Sequence, residues 1–215
     1  MNLPIGKIIC GDCRKIMKDW ILKNVVLITD PPYGIGYDKK PLRPGEKEKK
    51  MWEDDDNQYL KFSLALDCSV KVIFGIQNHP NLLPSKEGKW ICWDKSRAGG
   101  RGYLGSDFEL AWSNKRGYYR TYRVMHGGYI NDDSYNLHKP RYHPTQKPIR
   151  LMAAIIRDFS KPGDIILDPF VGSGSTCIAA EREGRRWIGI EIDKKYCKIA
   201  RKRVEIEKRR TKSLI

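Results

Sequence analysis

"ILDPFVGSGST", residues 166–176, decides the fold. It reads as a strand ending at Asp168, a turn carrying Gly172 and Gly174, and a helix beginning near Ser175. Glycines at such a turn let the backbone bend tightly and approach a ligand closely, with the next helix N-terminus facing it. Glu191 follows Gly172 by 19 residues and closes the next apolar run. An acid about 20 residues beyond a Gly-rich turn is where dinucleotide folds hold a ribose hydroxyl. The turn departs from G-x-G-x-x-G, so it does not spell an NAD site. An ordinary strand-to-helix turn accounts for the glycines but not for the acid at this spacing.

Outward from that turn the chain alternates strand and helix patterns. Downstream come a helix over 175–183, a strand "RWIGIEI" and a long basic helix from Lys194. Upstream lie a helix over 149–159, the strands "FELAW" and "KWICW" (close enough to pair antiparallel), the strand 70–74 and a helix near Tyr59–Cys68. Lys7-Ile8-Ile9 is a first short strand, followed by a helical stretch through Met17, Trp20 and Leu22. Strands alternating with helices at this spacing predict βαβ units and a parallel sheet. Residues 113–142 read as irregular, and 34–56, charged and broken by Pro and Gly in "KKPLRPGEKEKK", as a mobile surface loop. At 215 residues the chain fits one domain, 1–215.

A second turn has the same character. Val25-Val26-Leu27-Ile28 is a short unbroken apolar run, as in a strand buried on both faces. Pro31 and Pro32 must end it, because neither can donate to a sheet and both fix φ. Asp30 and Tyr33 are thereby held on a stiff turn at a strand's C-terminal end, where open α/β sheets bind ligands.

Forty-one basic residues against 26 acidic ones give a net charge of +15. Such an excess favours a polyanionic partner, since neutralising phosphates releases counterions. A merely basic soluble protein is the plainer alternative. No apolar run approaches the roughly 18 residues of a membrane span, and the N-terminus lacks a signal-peptide layout, so a cytoplasmic location and no membrane partner are expected. The six cysteines show no disulfide framework. Cys10 and Cys13 form a lone C-x-x-C without a second pair at metal-ligand spacing, so no metal is expected.

"DPPY" at 30–33 and "DPFVGSG" at 168–174, with "HPTQKP" at 143–148 between them, resemble the motifs of S-adenosylmethionine-dependent DNA amino-methyltransferases of the N6-adenine and N4-cytosine type. The order, catalytic motif first and cofactor motif last, is that of the β-group. The resemblance implies a Rossmann-like α/β methyltransferase fold: a mainly parallel seven-stranded sheet with one antiparallel strand, permuted order and a small inserted recognition region. It also implies S-adenosyl-L-methionine as cofactor, double-stranded DNA as partner, and a bacterial, archaeal or phage source. It leaves room for a homodimer and for a cognate restriction endonuclease.

Carried over residue by residue, the resemblance makes Asp30, Pro31, Pro32 and Tyr33 catalytic. It gives cofactor contacts to Asp12, Cys13, Asp30, His143, Thr145, Lys147, Asp168, Pro169, Phe170, Gly172, Gly174, Ser175, Thr176 and Glu191. Glu191 takes the ribose, Asp12 lies near the adenine, and Lys147 meets the carboxylate. Asp at position 30 favours adenine N6 over cytosine N4 as the methyl acceptor. An exocyclic amine on an aromatic base is a poor nucleophile, because its lone pair is delocalised into the ring. Acceptors fixed on its N–H groups localise that lone pair, which is preorganised electrostatic catalysis.

Residues 95–142 are the candidate target-recognition insert. There Lys115, Arg116, Arg120 and Arg123 interleave with Tyr118, Tyr119 and Tyr122, a composition suited to phosphate contact and base stacking. A basic hairpin with half-buried tyrosines reads equally well. The basic terminal helix (Arg201, Lys202, Arg203, Lys208, Arg209, Arg210) reads as a solvated face. Among other classes, a non-catalytic nucleic-acid-binding module explains the charge but not the spaced acids. A methyltransferase of protein glutamine would carry Asn where Asp30 stands.

Overall fold

The computed structural model describes residues 3–34, 57–83, 88–96, 106–115, 117, 119–124, 126–127, 130–131, 142 and 146–212. In chain order the elements are β1 (Lys7–Cys10), α1 (Cys13–Ile16), β2 (Val25–Thr29), α2 (Gln58–Ala65), β3 (Val70–Phe74), β4 (Lys89–Asp94), β5 (Phe108–Ser113), β6 (Arg120–Arg123), β7 (His126–Gly127), β8 (Ile130–Asn131), α3 (Ile149–Phe159), β9 (Ile165–Asp168), α4 (Ser175–Arg182), β10 (Arg186–Glu191) and α5 (Lys194–Lys212). Among the described residues, eight strands form one sheet in the order β1-β10-β9-β2-β3-β5-β4-β6, and β7 pairs with β8.

Every residue of β2 is buried, because the sheet is covered on both sides. Val26 and Ile28 pack with Leu151 and Ile155 of α3, Ala179 of α4 and Ala200 of α5. Val25 and Leu27, pointing the other way, pack with Cys13, Met17, Leu22 and Leu60. A strand between two apolar layers cannot alternate polar and apolar residues, which is why it reads as an unbroken run.

Among the described strands of this sheet, only β5 runs against the others, pairing antiparallel with both β3 and β4. The "KWICW"–"FELAW" pairing read from sequence is thus observed. Two expectations are corrected. The sheet has an eighth strand, because Arg120–Arg123 (β6) pairs parallel with β4, within a stretch that looked irregular; its four residues alternate too little to stand out. The first helix is a single turn, Cys13–Ile16. Trp20 N–H donates to the Met17 carbonyl at 3.1 Å and Val25 N–H to Leu22 at 2.8 Å, so the chain turns here, burying Met17 and Leu22 without a longer helix. The proposed mobile loop 34–56 lies outside the described residues except for Gly34.

The turn from β9 into α4 depends on Gly174. It sits at φ +93° as the N-cap of α4, and a Cβ there would come within 3.2 Å of the Ala200 Cβ and 3.3 Å of its Cα. The first term strains any L-residue by about 1–2 kcal/mol, and the second pushes α5 from α4. Gly174→Ala should therefore lower stability by roughly 2–3 kcal/mol, or about 5–10 °C in Tm for a chain of this size. A thermal melt followed by circular dichroism measures it.

Candidate active site

β2 and β9 are parallel neighbours, so the turns that leave them lie side by side at the C-terminal edge of the sheet. A buried hydrogen bond joins them: Thr29 Oγ1, the last side chain of β2, donates to Asp168 Oδ1 at 2.8 Å. Beyond Thr29, Asp30 is held from two sides. Lys147 Nζ donates to its Oδ2 at 2.5 Å, and Tyr33 Oη donates to its Oδ1. Tyr33 lies against the backbone of Gly75 (φ +81°), so closely that a Cβ there would come within 1.9 Å of Tyr33 Cε1. Its carbonyl is 2.5 Å from His79 Nε2, and His79 Nδ1 faces Asn57 Nδ2 at 3.4 Å. An amide nitrogen only donates, so one neutral tautomer, protonated on Nε2, satisfies both contacts.

Lys147 is the hub. Its side chain is 9% exposed, and its ammonium also meets Glu109 Oε2 at 3.1 Å. The rings of Phe74 and Trp93 lie 4.9 and 5.9 Å from Nζ. Burial pulls the Lys147 pKa down, but Asp30 and Glu109 outweigh it and hold the ammonium well above its usual range. Burial likewise pushes Glu109 up, and Lys147 and Lys95 together bring it down to about 2; Lys95 Nζ lies 2.5 Å from Oε1. Burial raises the Tyr33 hydroxyl far above its usual pKa, and the Asp30 charge adds to that, so it acts as a donor.

The second turn is built by its own backbone. Asp168 accepts from Thr176 Oγ1 at 2.6 Å and from the Phe170 N–H at 3.1 Å, besides Thr29. Glu191 Oε2 accepts from the Gly172 N–H at 2.9 Å, and Oε1 from Asp193 N–H at 2.9 Å; burial raises its pKa. Ser173 Oγ donates to Gln146 Oε1 at 3.0 Å. Residues 146 and 147 thus reach the two turns separately, Gln146 the glycine turn and Lys147 the Asp30 turn. Pro169 is buried, and Ser175 Oγ is buried with no hydrogen-bond partner among the described residues.

Asp12 caps α1 through the Arg14 N–H at 2.9 Å and pairs with the Arg14 guanidinium at 2.8 Å. That guanidinium lies 4.7 Å from the Tyr59 ring centroid, and Tyr59 packs edge-on against Phe170, so Asp12 reaches the wall of the glycine turn through Arg14. Burial pushes the Cys13 thiol up to about 12. Among the described residues, no group of His, Cys, Asp and Glu is arranged to hold a metal ion, and no helix is long and apolar enough to cross a membrane. His143, Thr145 and Arg116 lie outside the described residues.

The other three proposed DNA contacts are engaged on the protein. Lys115 Nζ donates to the Asp158 carbonyl at 2.7 Å, Arg120 lies 3.6 Å from the Asp158 carboxylate, and Arg123 pairs with Asp94 at 2.8 Å. The terminal helix is not simply a solvated face. Arg201 donates to the Ile8 carbonyl at 2.9 Å and Arg203 to the Ser173 carbonyl at 2.6 Å, because both orphan carbonyls need donors.

Sequence reasoning missed Glu109, Lys95, Gly75 and His79. Glu109 had one visible signal, an acid inside the apolar strand "FELAW".

This mainly parallel sheet, covered by helices and carrying an acidic turn beside a glycine turn, has the architecture of the Rossmann-like methyltransferases. The profile of the DNA methylase (N6/N4 methyltransferase) family matches residues 86–202, and the chain belongs to that family. It is 28% identical to type II methyltransferase M.HpaI of Haemophilus parainfluenzae, over 94% of this chain and 74% of that one. Over 65 residues it is 62% identical to type II methyltransferase M2.DpnII of Streptococcus pneumoniae, a match that spans 30% of this chain and 24% of the relative. The crystal structure of the M1.HpyAVI–SAM complex superposes with a TM-score of 0.63 at 27% identity, covering 92% of this chain and 98% of that chain. S-adenosylmethionine is the cofactor of this family.

Burial raises the Asp168 carboxyl to about 6, against the pull of its Thr176, Thr29 and Phe170 donors. With the folded pKa above the unfolded value of 3.8, the native state binds more protons between about pH 4 and 6. Stability therefore falls as pH rises through that window, by on the order of 2–3 kcal/mol. Asp168→Asn should remove this slope, and urea melts of both proteins at pH 4.5 and 7 measure the difference. Equal slopes would count against the assignment.

Proposed function

We propose that this chain transfers a methyl group from S-adenosylmethionine to the exocyclic N6 of an adenine flipped out of duplex DNA. The observation that carries the proposal is the joining of the two turns by Thr29 and Asp168. It sets a carboxylate suited to an amine beside a turn suited to a nucleoside.

The residues present fit the cofactor. Ser175 Oγ is a buried hydroxyl at the N-terminus of α4 with no partner among the described residues, the place for an anionic group. Glu191 holds both oxygens at the turn through backbone N–H groups and keeps lone pairs for two ribose hydroxyls. Gly172, Phe170 and Pro169 line the same turn, and Lys147 keeps one N–H beyond those facing Asp30 and Glu109. When bound, the cofactor supplies an electrophilic methyl group on a sulfonium sulfur.

The chain's own contribution is to ready the amine. The Asp30 carboxylate and the Pro31 carbonyl accept its two N–H hydrogens, which turns the nitrogen lone pair from the ring toward the methyl group. Pro31 and Pro32 keep those acceptors from swinging, so little reorganisation is left for the moment of transfer. Tyr33 offers its ring to stack on the base, which must leave the duplex to be reached. Neither a covalent nucleophile nor a metal is required, and proximity and alignment supply much of the rest. Duplex DNA is the partner that the surplus of positive charge suits, with residues 95–142 the proposed reader of its sequence and the cytoplasm the proposed compartment.

Asp30→Ala should reduce turnover by roughly 10²–10³-fold, while cofactor affinity, measured by calorimetry, weakens by no more than about tenfold, as expected from the positive charge left on Lys147. Mass spectrometry of nucleosides from DNA treated with the parent protein identifies the acceptor. N6-methyladenine is the expected product, and N4-methylcytosine alone would assign the cytosine reaction instead. A folded Asp30→Ala protein that methylates DNA near the parent rate would show that this turn is not catalytic.

A further inference from the structure

The reaction just described gives Glu109 no task, yet the fold places it with care. β5 is antiparallel to its neighbours, so its first residues lie at the sheet edge where the parallel strands end. Glu109 is the second residue of β5 and stands opposite Trp93, near the end of β4. There its Oε1 takes Lys95 at 2.5 Å and its Oε2 faces Lys147 at 3.1 Å. Lys147 is boxed by Glu109, Asp30 and the faces of Phe74 and Trp93. A lysine stem with a single partner can follow it or swing away; one with two fixed partners cannot. Charges at this centre alternate from Lys95 to Glu109, Lys147 and Asp30, and they cancel.

We propose that Glu109 is a positioning residue for methyl transfer: it acts through Lys147, fixing the ammonium against Asp30 so that the carboxylate keeps one aim and the centre carries no net charge. The inference rests on the methyltransferase reading of the same site. It has an electrostatic consequence that a purely structural ion pair lacks. Neutralising Glu109 leaves an uncompensated positive charge near the sulfonium, which disfavours the cationic cofactor relative to its neutral thioether product.

The test compares the parent, Glu109→Gln and Glu109→Asp as full chains, with unmethylated DNA. In Glu109→Gln the single-turnover rate should fall roughly 10–100-fold, the scale of a misplacement near 1 Å, with KM for DNA within about threefold. S-adenosylmethionine should weaken about tenfold relative to S-adenosylhomocysteine. The alkaline limb of the rate profile should move to lower pH, because Lys147 loses one of the two carboxylates that hold its proton. Glu109→Asp, which keeps the charge, should regain part of the rate.

A Glu109→Gln protein that melts like the parent, with an unchanged rate, alkaline limb and affinity ratio, overturns the proposal. Should Glu109→Gln not fold, Glu109→Asp is decisive. Its shorter carboxylate cannot touch both lysines, so a lowered rate at unchanged KM supports the role and the parent rate refutes it. A parent that methylates no DNA refutes the methyltransferase reading instead. The positioning role is then read from the ligand-free protein, by ¹³C NMR titration of the lysine side chains. Lys147 should titrate lower in the variant that folds, and an unmoved Lys147 overturns the inference.

Discussion

A buried ammonium is the constraint to which the site conforms. An unpaired ion at the depth of Lys147 costs several kcal/mol, so a fold that buries it must also deliver its partners. Four strands do so: β2 brings Asp30 at its end, β5 brings Glu109 at its start, and β3 and β4 bring the rings of Phe74 and Trp93. Lys147 stands two residues before α3, whose Leu151, Met152, Ile155 and Ile156 are buried on one face of the sheet. The ion pair therefore pins the entry of a core helix to the edge where strands deliver ligands. Cutting one partner would leave a charge stranded beneath a helix, so each partner supports both fold and site.

What could be read from the sequence followed how locally each feature is encoded. The Asp30 turn is local, because two prolines state its stiffness within four residues. The glycine turn is local too, and Glu191 lies one strand–helix–strand unit away. The helix 149–159 was legible to the residue through its apolar period. Glu109, Lys95, Gly75 and His79 were not, for a physical reason. Each matters only through a contact made by a different strand: Gly75 by lacking a Cβ under Tyr33, and Glu109 by sitting where an antiparallel strand begins. The short connection told that β5 runs against β4, but not that Glu109 would meet Lys147 at the sheet edge. Arg203 was misread for the same reason, since nothing around it says that the Ser173 carbonyl needs a donor.

The charge surplus and the site work on different scales. At the centre, Lys95, Glu109, Lys147 and Asp30 cancel within contact distance. Outside it, the net charge of +15 is unbalanced by composition, and that excess acts over about a Debye length of 8–10 Å at ordinary salt. The pairing of Arg120 with Asp158 and of Arg123 with Asp94 does not abolish a long-range field, because exposed pairs of this kind are weak and exchange readily with phosphate. It does fix the edge strand β6 to the body of the protein. The same arginines can be structural in the free protein and available to a polyanion, at a cost of well under the strength of a buried pair.

Thr29 and Asp168 are 139 residues apart, and their contact explains why chain order matters little to such a site. A parallel sheet makes neighbours of strands that need not follow one another, and all its parallel strands end on one edge. Exchanging the order in which the two turns are synthesised leaves β2 beside β9, so the acidic turn and the glycine turn still meet. What cannot be exchanged is the pair of side chains at the seam. Asp168 must accept from Thr29 on one side and from Thr176 and the Phe170 N–H on the other, in a place where burial disfavours its charge. A neutral, acceptor-poor side chain would let the two turns drift separately, and the methyl transfer proposed for the site depends on their alignment. The hydroxyl of Thr29 is thus as much a part of the site as the acid that follows it.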